Sequence, residues 1–269
     1  SGFSRSADST GSPQAGSGQA RKPNLIQIEN AKPGTRDWQL AKTRQLPGKI
    51  NKILNNERCP WIEGYCSANS IRAGEKLRVM VSTNPISDFK LEIFRTGYYN
   101  GDGARLMKSF DSLKGKMQRE PSAGENYVQE CNWDPSVEFE IPEDWLSGVY
   151  LGKLTAEKEN IQSYVIFIVR DDRPCDFLFQ CSELTWSAYN RWPADFSIYT
   201  DHTGFNTKGV PSGTVSFDRP YGLFTHPVNK HMTSGGSGEF LPWEFPLSYW
   251  MEKYGYDVSY ISNIDTHAY

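Results

Sequence analysis

Between Cys59 and Arg170 the chain is written as short segments in which β-branched and aromatic residues alternate with polar ones, each bounded by turn residues. A pleated strand turns successive side chains to opposite faces, so this texture admits half-buried strands and excludes long helices. LRVMVST (77–83) and FKLEIFR (89–95) both alternate and are separated by Asn84-Pro85, which predicts a hairpin. EFEI (138–141), GVYLGKLTA (148–156) and SYVIFIVR (163–170) follow at spacings of about ten residues, the rhythm of a β-sandwich. The polar break Asp171-Asp172-Arg173-Pro174 ends the run, so 56–172 is expected to form one β-sandwich domain.

The texture then changes. DFLFQC (176–181) is a nearly continuous apolar run, as in a strand covered on both faces, and LTWSAYNRW (184–192) reads as a short helix or turn. VSF (215–217) reads as a short strand. Phe240, Trp243, Leu247, Trp250, Met251 and Tyr254 recur at three and four, predicting an amphipathic helix with Pro246 in its first turn or at a kink and Gly255 closing its C-terminus. YDVSYIS (256–262) is the next strand. Strand, crossover helix and strand are the opening of an α/β sheet, expected over 173–269 and, since open sheets usually need four or more strands, expected to continue beyond Tyr269. In such sheets the site lies outside the carboxyl ends of the strands, here 180–192, 218–221 and 262–267.

Ahead of both regions, residues 1–22 are almost all Ser, Gly, Ala, Pro and charge, a composition too poor in apolar surface to offset the entropy of ordering. The rest of 1–55 is read as an approach segment, with a short apolar run at Leu25 and an isolated Trp38 that packs on something. Twenty-nine basic and thirty-two acidic residues leave a net charge of -3 with no basic stripe, which argues against nucleic acid. No stretch approaches the ~18 consecutive apolar residues of a membrane span. The five cysteines form no CxxC pair, which disfavours a tetrathiolate zinc site. Cys59 and Cys66 are close enough in sequence to bridge in an oxidising compartment or to stand as two buried thiols, and Cys175 and Cys181 read as small hydrophobes.

Chemistry concentrates at the predicted strand ends, which carry Trp186, Tyr189, Asn190, Arg191, Trp192, Tyr199, Asp218, Arg219 and Tyr221. They read either as an aromatic groove or core edge, or as a site in which Tyr189 and Tyr221 converge, as phenolate ligands of a hard ferric ion or with a phenol as acid. No serine lies in a GxSxG elbow and no histidine in HExxH spacing, so His202, His226 and His231 read as loop residues. His267 follows a strand at the expected site face. Glu244, on an otherwise aromatic face, is read as the exposed start of the helix rather than a buried carboxylate. The Gly-rich stretch 233–239 lacks a phosphate-loop lysine and is read as a mobile loop with a helix N-cap.

WIEGYCSANSIRAGEKLRVMVST with IFRTGYYNGDGARLM, followed by DFLFQCSELTWSAYNRW, VSFDRPYG and GEFLPWEFPLSYWMEKYGYDVSYISNIDTH, resembles the N,N-dimethylformamidase large (beta) subunit family from about residue 57 onward. The resemblance implies an immunoglobulin-like β-sandwich followed by the first part of a glutamine amidotransferase-like α/β domain, so the fold class is mixed. It further implies a mononuclear Fe(III) centre held by two tyrosinates and a glutamate, hydrolysing the C–N bond of a small amide. On this sequence the tyrosines fall on Tyr189, in SAYN, and Tyr221, in DRPY, with Asn190, Arg219 and His267 as further site candidates. The glutamate belongs to a Gly-His-Asp-Glu-Tyr-Trp stretch that the family places after the DTH strand end, beyond Tyr269. Many relatives carry Gly-Gly where this chain has Pro193-Ala194, which alters the loop beside the metal and points away from small formamides. The alternative from another class is a secreted carbohydrate- or surface-binding protein with an aromatic groove and no catalysis. A homo-oligomer is left open; the low-complexity start and the Cys59/Cys66 spacing point to export, and the family's founding activity to a cytoplasm.

Overall fold

The computed structural model describes residues 22–44, 58–193, 197–201, 204–205, 213–223 and 234–268. The low-complexity start therefore lies outside the described residues, as do His202, His226, His231 and Thr233.

The fold is mixed α/β and mostly β, with several sheets. Strands β1 (Glu63–Cys66), β2 (Ser70–Arg72), β3 (Lys76–Ser82), β4 (Phe89–Thr96), β5 (Ala104–Leu113), β6 (Val137–Glu140), β7 (Gly148–Ala156) and β8 (Ile161–Arg170) form two sheets. The larger runs β2-β8-β7-β4-β5 and the smaller β1-β3-β6. All pairs are antiparallel except β2 with β8. One core joins the layers: Leu77, Val79 and Val81 of β3 meet Phe89, Leu91 and Ile93 of β4 and Val165, Phe167 and Val169 of β8. The alternate residues of β8, Tyr164, Ile166 and Ile168, enter a second core with Phe179, Trp186, Phe240, Val258 and Tyr260. The larger sheet is thus covered on both faces, which is why SYVIFIVR reads as an almost unbroken apolar run.

The expected hairpin of 77–83 with 89–95 does not form. Each edge of β3 is taken by β1 and β6, and each edge of β4 by β5 and β7, so the turn residues at 84–88 carry the chain from one layer to the other instead of folding it back.

The approach segment contains a helix, α1 (Leu25–Asn30). Asn24 and Gln27 form a reciprocal capping box, each side chain accepting from the other's backbone N–H at 2.9 Å. Trp38, 8 % exposed, donates from Nε1 to the carbonyl of Asp102.

After β8 come β9 (Phe177–Gln180), α2 (Glu183–Tyr189), the two-residue pair β10 (Thr200–Asp201) and β11 (Gly204–Phe205), a π turn over Phe240–Glu244, α3 (Phe245–Lys253), β12 (Val258–Ile261) and α4 (Asp265–Ala268). β9 and β12 pair in parallel, as a strand–helix–strand unit requires. Pro246 sits in the first turn of α3, and Gly255, at φ +72°, follows its end.

Three expectations are corrected here. DFLFQC is not covered on both faces: Phe177 and Leu178 are 46 % and 59 % exposed, and β12 is the one strand that pairs with β9 among the described residues. VSF (215–217) is not a strand but irregular chain beside Cys131, whose N–H donates to the carbonyl of Asp218. The Gly-rich stretch from Ser234 is no loose loop and caps no helix with a side chain. Ser234, Ser237 and Glu239 are buried, and the backbone of Gly235 accepts from the Tyr164 N–H of β8.

Candidate functional site

Two segments, 187–192 at the end of α2 and 216–222, are stitched together by side chains that hydrogen-bond to backbone. Asn190, at the end of α2, donates from Nδ2 to the Pro220 carbonyl at 2.9 Å, while its Oδ1 accepts from the N–H groups of Trp192 and Gly222. Arg219, 1 % exposed, donates to the carbonyls of Trp192 (2.7 Å), Asn190 (3.0 Å), Ser187 (3.2 Å) and Ser216 (3.2 Å). A buried backbone carbonyl without a partner costs about as much as a lost hydrogen bond, so both residues satisfy a connection that lacks regular structure. The consequence is local: Tyr189 and Tyr221 stand on the two segments that Asn190 and Arg219 tie together.

The phenols have different surroundings. The Tyr221 hydroxyl is buried with no hydrogen-bond partner among the described residues, and its ring meets that of Trp186 in a T-shaped contact at 6.3 Å between centroids. Burial, then the carboxylate of Glu183, pushes this phenol well above its ordinary value; Arg219 pulls the other way. Tyr189 is half-buried and packs on Tyr199 at 4.8 Å. Its phenol is also raised, by burial and then by Tyr199 and Glu239.

Glu244 is not the exposed helix start expected of it. The π turn at 240–244 inserts an extra residue before α3 and brings this carboxylate inward, where Oε1 accepts from Trp186 Nε1 at 2.7 Å and from the Ser182 N–H at 3.2 Å. Burial pushes its carboxyl up, against the hydrogen bonds from Trp186 and Ser182. Glu183, fully buried, accepts the backbone N–H groups of Asn263 (2.7 Å) and Ile264 (3.0 Å), fixing α2 against the chain that leaves β12; burial raises its carboxyl too. Trp186, Tyr189, Trp243, Glu239 and Glu244 line a cleft of about 360 Å³ beside α2.

His267 lies on α4, exposed, at the end of β12 where the sequence put it, and no contact joins it to either tyrosine among the described residues. Trp192 is fully buried, donating from Nε1 to Glu63 at 2.8 Å under the Arg58 guanidinium. Cys59 and Cys66 stand as separate buried thiols, as do Cys131 and Cys181; burial pushes the Cys59 thiol up to about 12, far from the reactive range. Sequence reasoning missed Glu183 and placed Glu244 on the outside, though a lone carboxylate on an aromatic helix face was the signal for it.

Among the described residues no three His, Cys, Asp or Glu side chains gather in a metal-binding group. For a metal this region offers hard oxygen donors suited to a hard cation, the phenols and the carboxylates of Glu239 and Glu244 that line the cleft with Tyr189, and the unpartnered Tyr221 hydroxyl fits that use. Among the described residues no helix is long and apolar enough to cross a membrane.

None of the curated proteins matches the chain in a direct sequence comparison. A family model described as N,N-dimethylformamidase beta subunit-like, C-terminal, matches residues 90–269, from inside β4 through both tyrosine segments to the last residue. With about two thirds of its length matched and the whole candidate site inside the match, the chain belongs to the N,N-dimethylformamidase beta subunit-like, C-terminal family.

Proposed function

We propose that this protein is an iron-dependent hydrolase of the C–N bond of a small amide, with Tyr189 and Tyr221 as ligands of a mononuclear ferric ion. In this reading the two-sheet region is an immunoglobulin-like sandwich and 173–269 the opening of a glutamine amidotransferase-like domain. The observation that carries it is the Tyr221 hydroxyl, buried without a partner among the described residues, on a segment tied to that of Tyr189. An unsatisfied buried hydroxyl costs roughly 1–3 kcal/mol, a cost removed when a ligand claims its oxygen. A bound ferric ion supplies Lewis-acid chemistry toward an amide carbonyl and a water.

The chain's own residues do the rest. Tyr189 and Tyr221 offer oxygens that a trivalent cation favours in the ionised form, against the upward push that burial exerts in its absence. Asn190 and Arg219 act as positioning residues, their polar groups engaged with the backbone that carries the tyrosines. Trp186 and Trp243 line the cleft. His267 remains the proton-transfer candidate at the strand end.

The test is the iron content and visible spectrum of the purified protein. A tyrosinate-to-iron absorption band lost in Tyr221→Phe is the expected result, and a colourless protein that takes up no iron overturns the reading. The exposed Trp243 at the mouth of the cleft favours one other reading, a sugar-binding groove. Glycan binding that survives Tyr189→Phe combined with Tyr221→Phe is its signature.

A further inference from the structure

Trp186 occupies the middle of the site: its ring meets that of Tyr221, its other neighbours are Phe240 and the turn at Gly238, and it lines the cleft beside Tyr189. Gly238 has φ +60°, and a Cβ there would come within 2.9 Å of the indole, so the buried turn is shaped to lie on that ring. Packing fixes the ring's plane but not its direction, because an indole has one polar atom and that atom needs a partner when buried. The partner is Glu244, at 2.7 Å, which at the same time accepts the Ser182 N–H at the start of α2.

We infer that Glu244 is a positioning residue for the tyrosine site, holding the Trp186 indole as the wall between the cleft and Tyr221. The inference rests on the iron reading for its functional consequence, while the Glu244–Trp186 coupling itself needs no metal. A hydrogen bond to a charged acceptor is among the stronger ones in proteins, and without it the indole loses its fixed direction and the Tyr221 ring loses its neighbour.

The experiment compares wild type, Glu244→Gln, Glu244→Ala, Trp186→Phe and the Trp186→Phe/Glu244→Ala double variant in the full chain. Two properties are read: tryptophan emission with acrylamide quenching in iron-free protein, and ferric ion binding with the energy of the tyrosinate band. Glu244→Ala is expected to shift the emission, raise quenching and weaken iron binding by roughly tenfold. Glu244→Gln keeps an acceptor oxygen and restores most of both. In the Trp186→Phe background Glu244→Ala adds less than about twofold, because its route to the site is already gone. An equal loss of iron binding from Glu244→Ala in both backgrounds overturns the inference. If no form of the protein binds iron, the iron reading fails by itself and the emission decides: a change confined to proteins that retain Trp186 supports the coupling, and no change removes it. Unfolding curves accompany each variant, and Glu244→Gln keeps the question answerable if Glu244→Ala does not fold.

Discussion

Two polar groups are buried in opposite ways in this molecule. Arg95 of β4 and Glu252 of α3, both fully buried, make a two-point ion pair at 2.9 and 3.1 Å. Every neighbour adds to it: Arg95 also donates to the Ser147 and Thr96 carbonyls and to the Tyr99 hydroxyl, and Glu252 also accepts from Asn30 and Tyr260. Gly97 leaves no room for a side chain beside the Glu252 carboxylate. In that network Arg95 Nε, one of the guanidinium's three nitrogens, has no partner among the described residues; at Tyr221, by contrast, the side chain's single polar atom has none among them. The first arrangement joins α1, the larger sheet and α3 with groups the chain supplies itself. In the proposed reading the second is completed by the bound ferric ion. A largely closed network of this kind serves the fold, while a polar side chain left wholly unpaired is where a ligand has a reason to bind.

The largest effect follows from breaking the closed network. Glu252→Ala leaves the Arg95 guanidinium buried without its counter-charge and strands Asn30 and Tyr260, and is expected to cost about 3–5 kcal/mol in chemical unfolding. Replacing Arg95 and Glu252 together by Met and Leu should cost less than either single change, since no lone charge remains. A double variant as unstable as Glu252→Ala would show that the hydrogen bonds, rather than the charges, hold this joint.

Asn190→Ala comes next. It removes a donor from Pro220 and an acceptor from Trp192 and Gly222, with an expected loss of about 1–3 kcal/mol in thermal or chemical unfolding. It also releases the Tyr221 segment from that of Tyr189, so the iron band should weaken more than stability alone explains. Unchanged iron binding at lowered stability would make Asn190 a purely structural tie.

Tyr221→Phe sharpens the contrast from the other side. Deleting an unpartnered buried hydroxyl from metal-free protein removes its desolvation cost and should raise stability by up to about 1–3 kcal/mol, while iron binding falls away. A large destabilisation in metal-free protein would mean that the hydroxyl has a partner and that the site is closed.

The two regions also differ in how they could be read from sequence. Strands β3, β4, β7 and β8 were legible because alternation is a local property, but their pairing was not: Asn84-Pro85 carries the same turn signal whether the chain folds back or crosses between layers. β5 escaped because nine of its ten residues are half-buried or exposed, so ARLMKSFDSL shows no clean period. The capping box Asn24-x-x-Gln27 announced α1 and went unread beside so short an apolar run. Tyr189 and Tyr221 came from motif resemblance, and nothing in their spacing tells that Asn190 reaches across some thirty residues to hold both sides of Tyr221. Arg95 and Glu252 are 157 positions apart and each looks like an ordinary charge on a strand or helix. Glu244 misled because helical periodicity ignores the π turn that brings it inward.

The smallest effect, and the one that separates the regions by sign, is pH dependence. In the closed network burial pushes the Glu29 carboxyl up, but Lys32, Arg95 and Arg105 more than offset this and hold it below the ordinary glutamate value. A lowered folded pKa gives stability that is present above the unfolded value and lost as pH falls through the folded one. Around the site Glu183 and Glu244 are raised, chiefly by burial, so their contribution is present below the unfolded value and lost as pH rises through the folded one. Urea midpoints measured over about pH 3 to 7 should therefore respond oppositely. Glu29→Gln should flatten the acid-side loss, and Glu183→Gln or Glu244→Gln should flatten the decline that accompanies their ionisation. The hydrogen bonds to Glu244 and Glu183 come largely from backbone N–H groups and an indole, neutral donors that orient a carboxylate without repaying its desolvation, whereas Glu29 is met by cations. Slopes of the same sign for Glu29→Gln and Glu244→Gln would mean that the site carboxylates are charge-compensated after all, and the distinction between a closed joint and an open site would have to rest on Tyr221 alone.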